Sequence, residues 1–224
     1  EAFMRDAAHS YNQQSDDLLT DSKPQSHTEL MRQGGERLFQ NSDTAKSLPF
    51  TVSQRDTFTS GEMAGVYSFS VQLTDLYAAY WSASPYAGPQ VFIFSPTDQF
   101  TIAVPGIDGA RKFPLLQNYN FFDVTKRLYD QLLSRGQSLE NNQVLWMRAP
   151  AGLIQKRKYI VGAVDIDLSR RFLPAPEDDA PVVLTALLDV SDINDLERLL
   201  MRPINTSLTL ISPSGEVLLG DEQG

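Results

Sequence analysis

Pro181-Val182-Val183-Leu184-Thr185-Ala186-Leu187-Leu188-Asp189-Val190 is apolar almost without a break. A strand with one face in water alternates apolar and polar side chains. This run does not, so it is expected inside a sheet covered on both faces. The residues after it set the kind of sheet. Ser191 to Met201 reads as a short amphipathic helix capped by Ser191, with Ile193, Leu196, Leu199 and Leu200 inward and Pro203 past its end. Ser207 to Leu219 then reads as a hairpin whose turn is Ser212-Pro213-Ser214-Gly215. Val91 to Val104 is a similar hairpin, with Pro96-Thr97-Asp98 as its turn chemistry. Hairpins around a continuous apolar strand predict an antiparallel sheet.

Outward from these elements, the pattern adds helices and further strands. Glu1 to Leu19 reads as a long N-terminal helix with Phe3, Ala7, Tyr11 and Leu18 on one stripe. Ser26-His27-Thr28-Glu29 has the capping-box pattern and predicts a second helix carrying Leu30, Leu38 and Phe39, weakened at Gly34-Gly35. Leu48 to Gly61 reads as a looser stretch. Val66, Phe69, Leu73, Leu76, Tyr77, Tyr80 and Trp81 keep helical spacing up to Ser84-Pro85, which favours a helix, although the β-branched and aromatic content of Val66 to Val71 also suits a strand. Asp123 is expected to cap a helix with Val124, Leu128, Tyr129, Leu132 and Leu133 inward. Val144 to Arg148 and Tyr159 to Ile166 are strand candidates. The fold class is α+β: an antiparallel sheet flanked by helices, in one structural unit with no linker in it.

Composition narrows the function. The 224 residues are 42% hydrophobic and 21% charged, which is ordinary for a folded domain. A net charge of −9 argues against nucleic acid as the partner. There is no cysteine, so disulfides, thiolate nucleophiles and most structural zinc sites are excluded. That absence also leans towards an exported domain. No apolar run approaches the ~20 residues that cross a bilayer as a helix.

The chemistry-bearing residues are few. His9 and His27 are the only histidines, both in polar surroundings, and no nucleophile motif accompanies them. Asp165 and Asp167 alternate along one strand and, with Asp189 of the next, are a weak candidate for holding a cation; solvated carboxylates are the more ordinary reading. Lys156-Arg157-Lys158 reads as a hairpin tip, and Pro174 to Asp179 as a solvated acidic loop. Trp146, Arg148 and Tyr159 are the most pocket-like group. Trp146 and Arg148 share a strand face and Tyr159 begins the neighbouring strand, an aromatic wall with a cationic end that suits an anionic ligand. The plainer reading is a buried Trp beside a snorkelling Arg.

The order of helices, the "VFIFSPTDQFTIAVP" hairpin, a Trp-bearing strand, "KYIVGAVDI", "PVVLTALLDV", a short helix and "LTLISPSGEVLL" resembles the extracytoplasmic Cache domains, a PAS-like class. It is similar to the periplasmic sensor regions of gammaproteobacterial diguanylate cyclases and hybrid histidine kinases. The resemblance spans roughly Val66 to Leu219. It implies residues 1–60 as N-terminal helices with a connecting segment and residues 61–224 as the Cache-like sensor core. It also implies a periplasmic domain of an inner-membrane receptor, which binds a small ligand or partner protein and relays it to a cytoplasmic kinase, cyclase or phosphodiesterase. No enzymatic activity and no cofactor are expected of this region. The amino-acid-binding signature of one Cache subfamily is absent, so that ligand is not carried over. The Phe3, Ala7, Tyr11 and Leu18 stripe is expected to support self-association in the intact receptor. A span leading into the first helix, and a closing strand with a return helix after Gly224, are expected outside the chain. The alternative is an envelope protein-interaction module with no small ligand.

Overall fold

The computed structural model describes residues 2–13, 27–33, 36–41, 48–55, 59–82, 84, 88–95, 100–106, 121–135, 139, 143–150, 153, 158–166, 182–191 and 209–220. In chain order the elements are α1 (Ala2–Gln13), β1 (His27–Gln33), β2 (Glu36–Asn41), β3 (Thr51–Arg55), α2 (Ser60–Trp81), β4 (Gln90–Phe94) and β5 (Phe100–Val104). They continue as α3 (Phe121–Ser134), β6 (Leu145–Arg148), β7 (Tyr159–Ile166), β8 (Val182–Asp189), β9 (Leu210–Ile211) and β10 (Val217–Leu219). Eight strands form one sheet in the order β1-β2-β3-β5-β4-β8-β7-β6, and β9 and β10 form a separate hairpin. Every neighbouring pair is antiparallel. The α+β class therefore holds.

The long apolar run is β8, which lies between β4 and β7 with Val182 to Leu187 all buried. Its lack of alternation comes from the layers. α1 and α2 cover one face, packing Phe3, Met4, Ala7, Val66, Phe69 and Leu73 onto Val91, Ile93, Ile102, Val164, Leu184 and Ala186. α3 covers the other, packing Val124, Leu128 and Leu132 onto Phe92, Ala103, Met147, Val161 and Leu187. Each such side chain contributes ~1.5–3 kcal/mol when removed from water, so even an antiparallel strand is apolar on both sides here.

Several expectations are corrected. The helix predicted from Ser26 is instead the β1–β2 hairpin, with Gln33 opposite Glu36 across Gly34-Gly35. Two glycines separating two short runs are a hairpin signal, and Leu30, Leu38 and Phe39 are too sparse for a helical stripe. The N-terminal helix is described over Ala2–Gln13; residues 14–19 of the long helix expected to Leu19 lie outside the described residues. The looser stretch after Leu48 contains β3, whose Thr51, Ser53 and Gln54 are buried despite their polarity. Leu133 is 60% exposed rather than inward. α3 begins two residues before Asp123, so Asp123 sits inside the first turn, where a carboxylate still complements the helix dipole. The helix expected over 191–201 lies outside the described residues beyond Ser191. Asp189 accepts from the Ser191 backbone N–H at 2.8 Å and from its hydroxyl at 2.5 Å.

The turn of the C-terminal hairpin is as expected. The Gly215 N–H donates to the Ser212 carbonyl at 2.9 Å, and the Ser212 N–H to the Glu216 carbonyl at 2.8 Å. Gly215 has a φ of 86°, which a residue without Cβ adopts cheaply.

Candidate functional site

The three residues expected to form a pocket are not brought together. Arg148 pairs with Ile160 and Trp146 with Gly162, so those four share one face of the sheet. Tyr159 is one residue from Ile160, and the two-residue period of a strand sends it to the other face. There Tyr159 is 8% exposed in the layer under α3, beside Met147 and Val161. Trp146 packs instead against Ile160, Val190 and Leu218. The Arg148 Nε donates to the Val217 carbonyl at 2.6 Å, holding the C-terminal hairpin against the β6 edge. An aromatic wall shared by Trp146 and Tyr159 is therefore ruled out.

A second anchor supports that hairpin. Arg135, just past α3, donates both Nη groups to the Glu216 carboxylate, the Nη2–Oε1 bond being 2.8 Å. The hydrogen-bonded Arg135 guanidinium holds the Glu216 carboxyl below the usual carboxylate range. Partial burial opposes this, and the charge of Arg148 adds to it.

The proposed cation set also falls apart. Asp165 is opposite Val183 and Asp189 is opposite Tyr159, six positions along the same ladder, or roughly 20 Å at ~3.3 Å per residue. The two carboxylates cannot share an ion. Among the described residues no cluster of three or more histidines, cysteines or carboxylates could hold a metal. His9 and His27 lie in α1 and β1. Asp167, Lys156, Arg157, Tyr86 and the 174–179 loop lie outside the described residues.

What the register does assemble is a polar strip on the α3 face. One row across the sheet reads Ser53, Thr101, Phe94, Val183, Asp165; the next reads Thr51, Ala103, Phe92, Thr185, Ala163. Four hydroxyl side chains in these rows, Thr51, Ser53, Thr101 and Thr185, are completely buried. Thr185 donates only a long bond, 3.4 Å, to the Phe92 carbonyl. The Thr101 hydroxyl is buried with no hydrogen-bond partner among the described residues. An unmet buried hydroxyl costs ~1–3 kcal/mol, so such a group is retained against stability unless something pairs with it. Asp165 closes the first row, half-buried, at the sheet end from which residues 56–58, 96–99 and 167–181 depart. Hydroxyls thus lie at one end of the row and a carboxylate at the other, three strand spacings or roughly 14 Å from Thr101 to Asp165, with Phe92 and Phe94 buried between them under α3. No nucleophile-and-base pair is present among these residues.

This strip is not legible in the sequence because Thr and Ser are ordinary in strands. Only the cross-strand register, with β3 placed beside β5, shows that they are neighbours in the interior. The phase of Tyr159 is legible in principle, but depends on which β7 residue faces Arg148.

Comparison with protein-family models, with curated proteins and with solved structures finds no match to this chain. Among the described residues, no helix is long and apolar enough to cross a membrane.

Proposed function

We propose that this chain is the extracytoplasmic signal-input domain of a membrane-bound receptor, of the Cache type, holding a small amine-bearing molecule on the α3 face of its sheet. The observation that carries the reading is the buried Thr101 hydroxyl without a partner among the described residues, in register with Ser53 and with the half-buried Asp165. A carboxylate accepts from an ammonium group. Ser and Thr hydroxyls serve either as donors or as acceptors. The layout also suits a relay, since α1 lies on the sheet face opposite that strip, while the C-terminal hairpin sits at the β6 edge, tied to Arg148 and to Arg135 at the end of α3. The cytoplasmic output is a kinase or a cyclic-di-GMP enzyme in this reading.

A docking module for another envelope protein is the second reading. It is favoured by Leu210 and Ile211 of β9, which are 36% and 58% exposed. The two are separated by thermal shift against a panel of small amines, amino acids, sugars and carboxylates. Stabilisation by an amine, lost in Asp165→Asn and weakened in Thr101→Val with the unliganded melting temperature retained, supports the sensor. Losing a charge-assisted contact should reduce affinity roughly ten- to hundredfold. Stabilisation that survives both substitutions, or no amine hit at all, would refute the amine site.

A further inference from the structure

The first and last described elements of the chain both come near one side chain, Trp146. α1 packs on β7, β8 and α2, burying Phe3, Met4 and Ala7. That uses Phe3 and Ala7 of the stripe expected to drive self-association. Gly162 of β7 lies beneath both Met4 and Trp146: a Cβ placed there would be 3.0 Å from the Met4 Sδ and 3.1 and 3.2 Å from the Trp146 Cζ3 and Cη2. The thioether and the indole thus converge on one point and lie within about 6 Å of each other. On its other side Trp146 packs in the cluster of Ile160, Val190 and Leu218, the last belonging to β10. The hairpin carrying Leu218 is held by Arg148 and Arg135, and the latter belongs to the α3 side of the sheet.

We infer that Trp146 is a mechanical coupler, through which displacement of α1 changes the seating of the β9–β10 hairpin and the reverse. Packed interiors resist local deformation, so a shift of Met4 is passed to the indole instead of being absorbed. Gly162 is the space that makes this possible, since any side chain there would separate the two groups. The coupling is a property of the packing and stands whether or not the domain senses an amine. Reciprocity is required by thermodynamic linkage: whatever loosens the hairpin must loosen α1 through the same contact.

The test is amide hydrogen exchange on the full chain, comparing wild type with Met4→Ala and with Arg135→Gln. Met4→Ala should speed exchange across residues 210–219, and Arg135→Gln across residues 2–13, each on the order of threefold or more, with β4 and β5 unchanged. Asp6→Ala removes the α1 contact to the Tyr80 hydroxyl, and should affect the hairpin less. If Met4→Ala folds poorly, Met4→Leu perturbs the same point more gently. The chain has two tryptophans, so Trp81→Phe leaves Trp146 as the sole emitter. In that background, Met4→Ala and Arg135→Gln should both shift its emission to the red. Substitutions that loosen only the element carrying them, or leave the Trp146 emission unmoved, would overturn the coupling.

Discussion

Arg135 and Glu216 lie 81 positions apart in sequence and close a two-pronged ion pair between the end of α3 and the turn of the C-terminal hairpin. The pair is partly exposed, with about a quarter of each side chain accessible, so its electrostatic worth is screened. Its effect on the hairpin is nevertheless readable by pH. A carboxyl held below its ordinary value contributes stability above the unfolded value near ~4.3 and loses it as the pH falls through the depressed folded value. Exchange in residues 210–219 should therefore rise in acid before the sheet melts. Glu216→Gln should show that faster exchange already at neutral pH and flatten the profile. An unchanged acid profile in Glu216→Gln would remove Glu216 as the responsive group.

Tyr77 predicts a change at the other end of the pH scale. Its ring is buried edge-on to Phe3 at 5.9 Å, and its hydroxyl donates to the Pro89 carbonyl at 3.0 Å. Burial pushes its pKa up to about 12. A group that is easier to ionise unfolded than folded contributes stability below the unfolded value of about 10 and loses it as the pH rises towards 12. The melting temperature should fall through that window. Tyr77→Phe should lose about 1 kcal/mol at neutral pH, or ~2–4 °C, and part of the alkaline slope. Gly88→Ala is expected to cost more, because its Cβ would sit 2.0 Å from the Tyr77 hydroxyl oxygen.

Leu187→Asp tests the placement of β8. Leu187 is fully enclosed under α3, opposite Gln90 and Val161. An unpaired carboxylate there belongs to the few changes that cost more than ~4 kcal/mol. Loss of cooperative melting or a fall of more than ~10 °C is expected. A melting temperature within error of wild type would contradict the interior position of this strand.

These elements differ in how far the sequence discloses them. β8, β7, the β4–β5 hairpin and α2 are legible because long apolar runs and helical spacing are properties of neighbouring residues. β3 is not, since Thr51-Val52-Ser53-Gln54-Arg55 carries one large apolar residue and owes its place to pairing with β2 and β5. The strip containing Thr101 and Asp165 is hidden for the same reason: it exists only across strands from distant parts of the chain. Trp146 and Arg148 are visible as neighbours, yet their role against the C-terminal hairpin requires knowing that Val217 and Leu218 return to the β6 edge.

Gln54 supplies the last expectation. It lies on β3 facing the α1 and α2 layer, 1% exposed, and neither its amide nitrogen nor its carbonyl oxygen has a hydrogen-bond partner among the described residues. A buried donor and acceptor left unmet each cost ~1–3 kcal/mol, while an apolar side chain of the same length carries no such penalty and adds burial. Methionine matches glutamine in length and adapts to irregular surroundings. Gln54→Met should accordingly raise the melting temperature by several degrees, at ~2–4 °C per kcal/mol for a chain of this size. A lower melting temperature would mean that the amide is paired in solution, by water or by a bound molecule. A crystal structure would then locate that partner between β3 and α2.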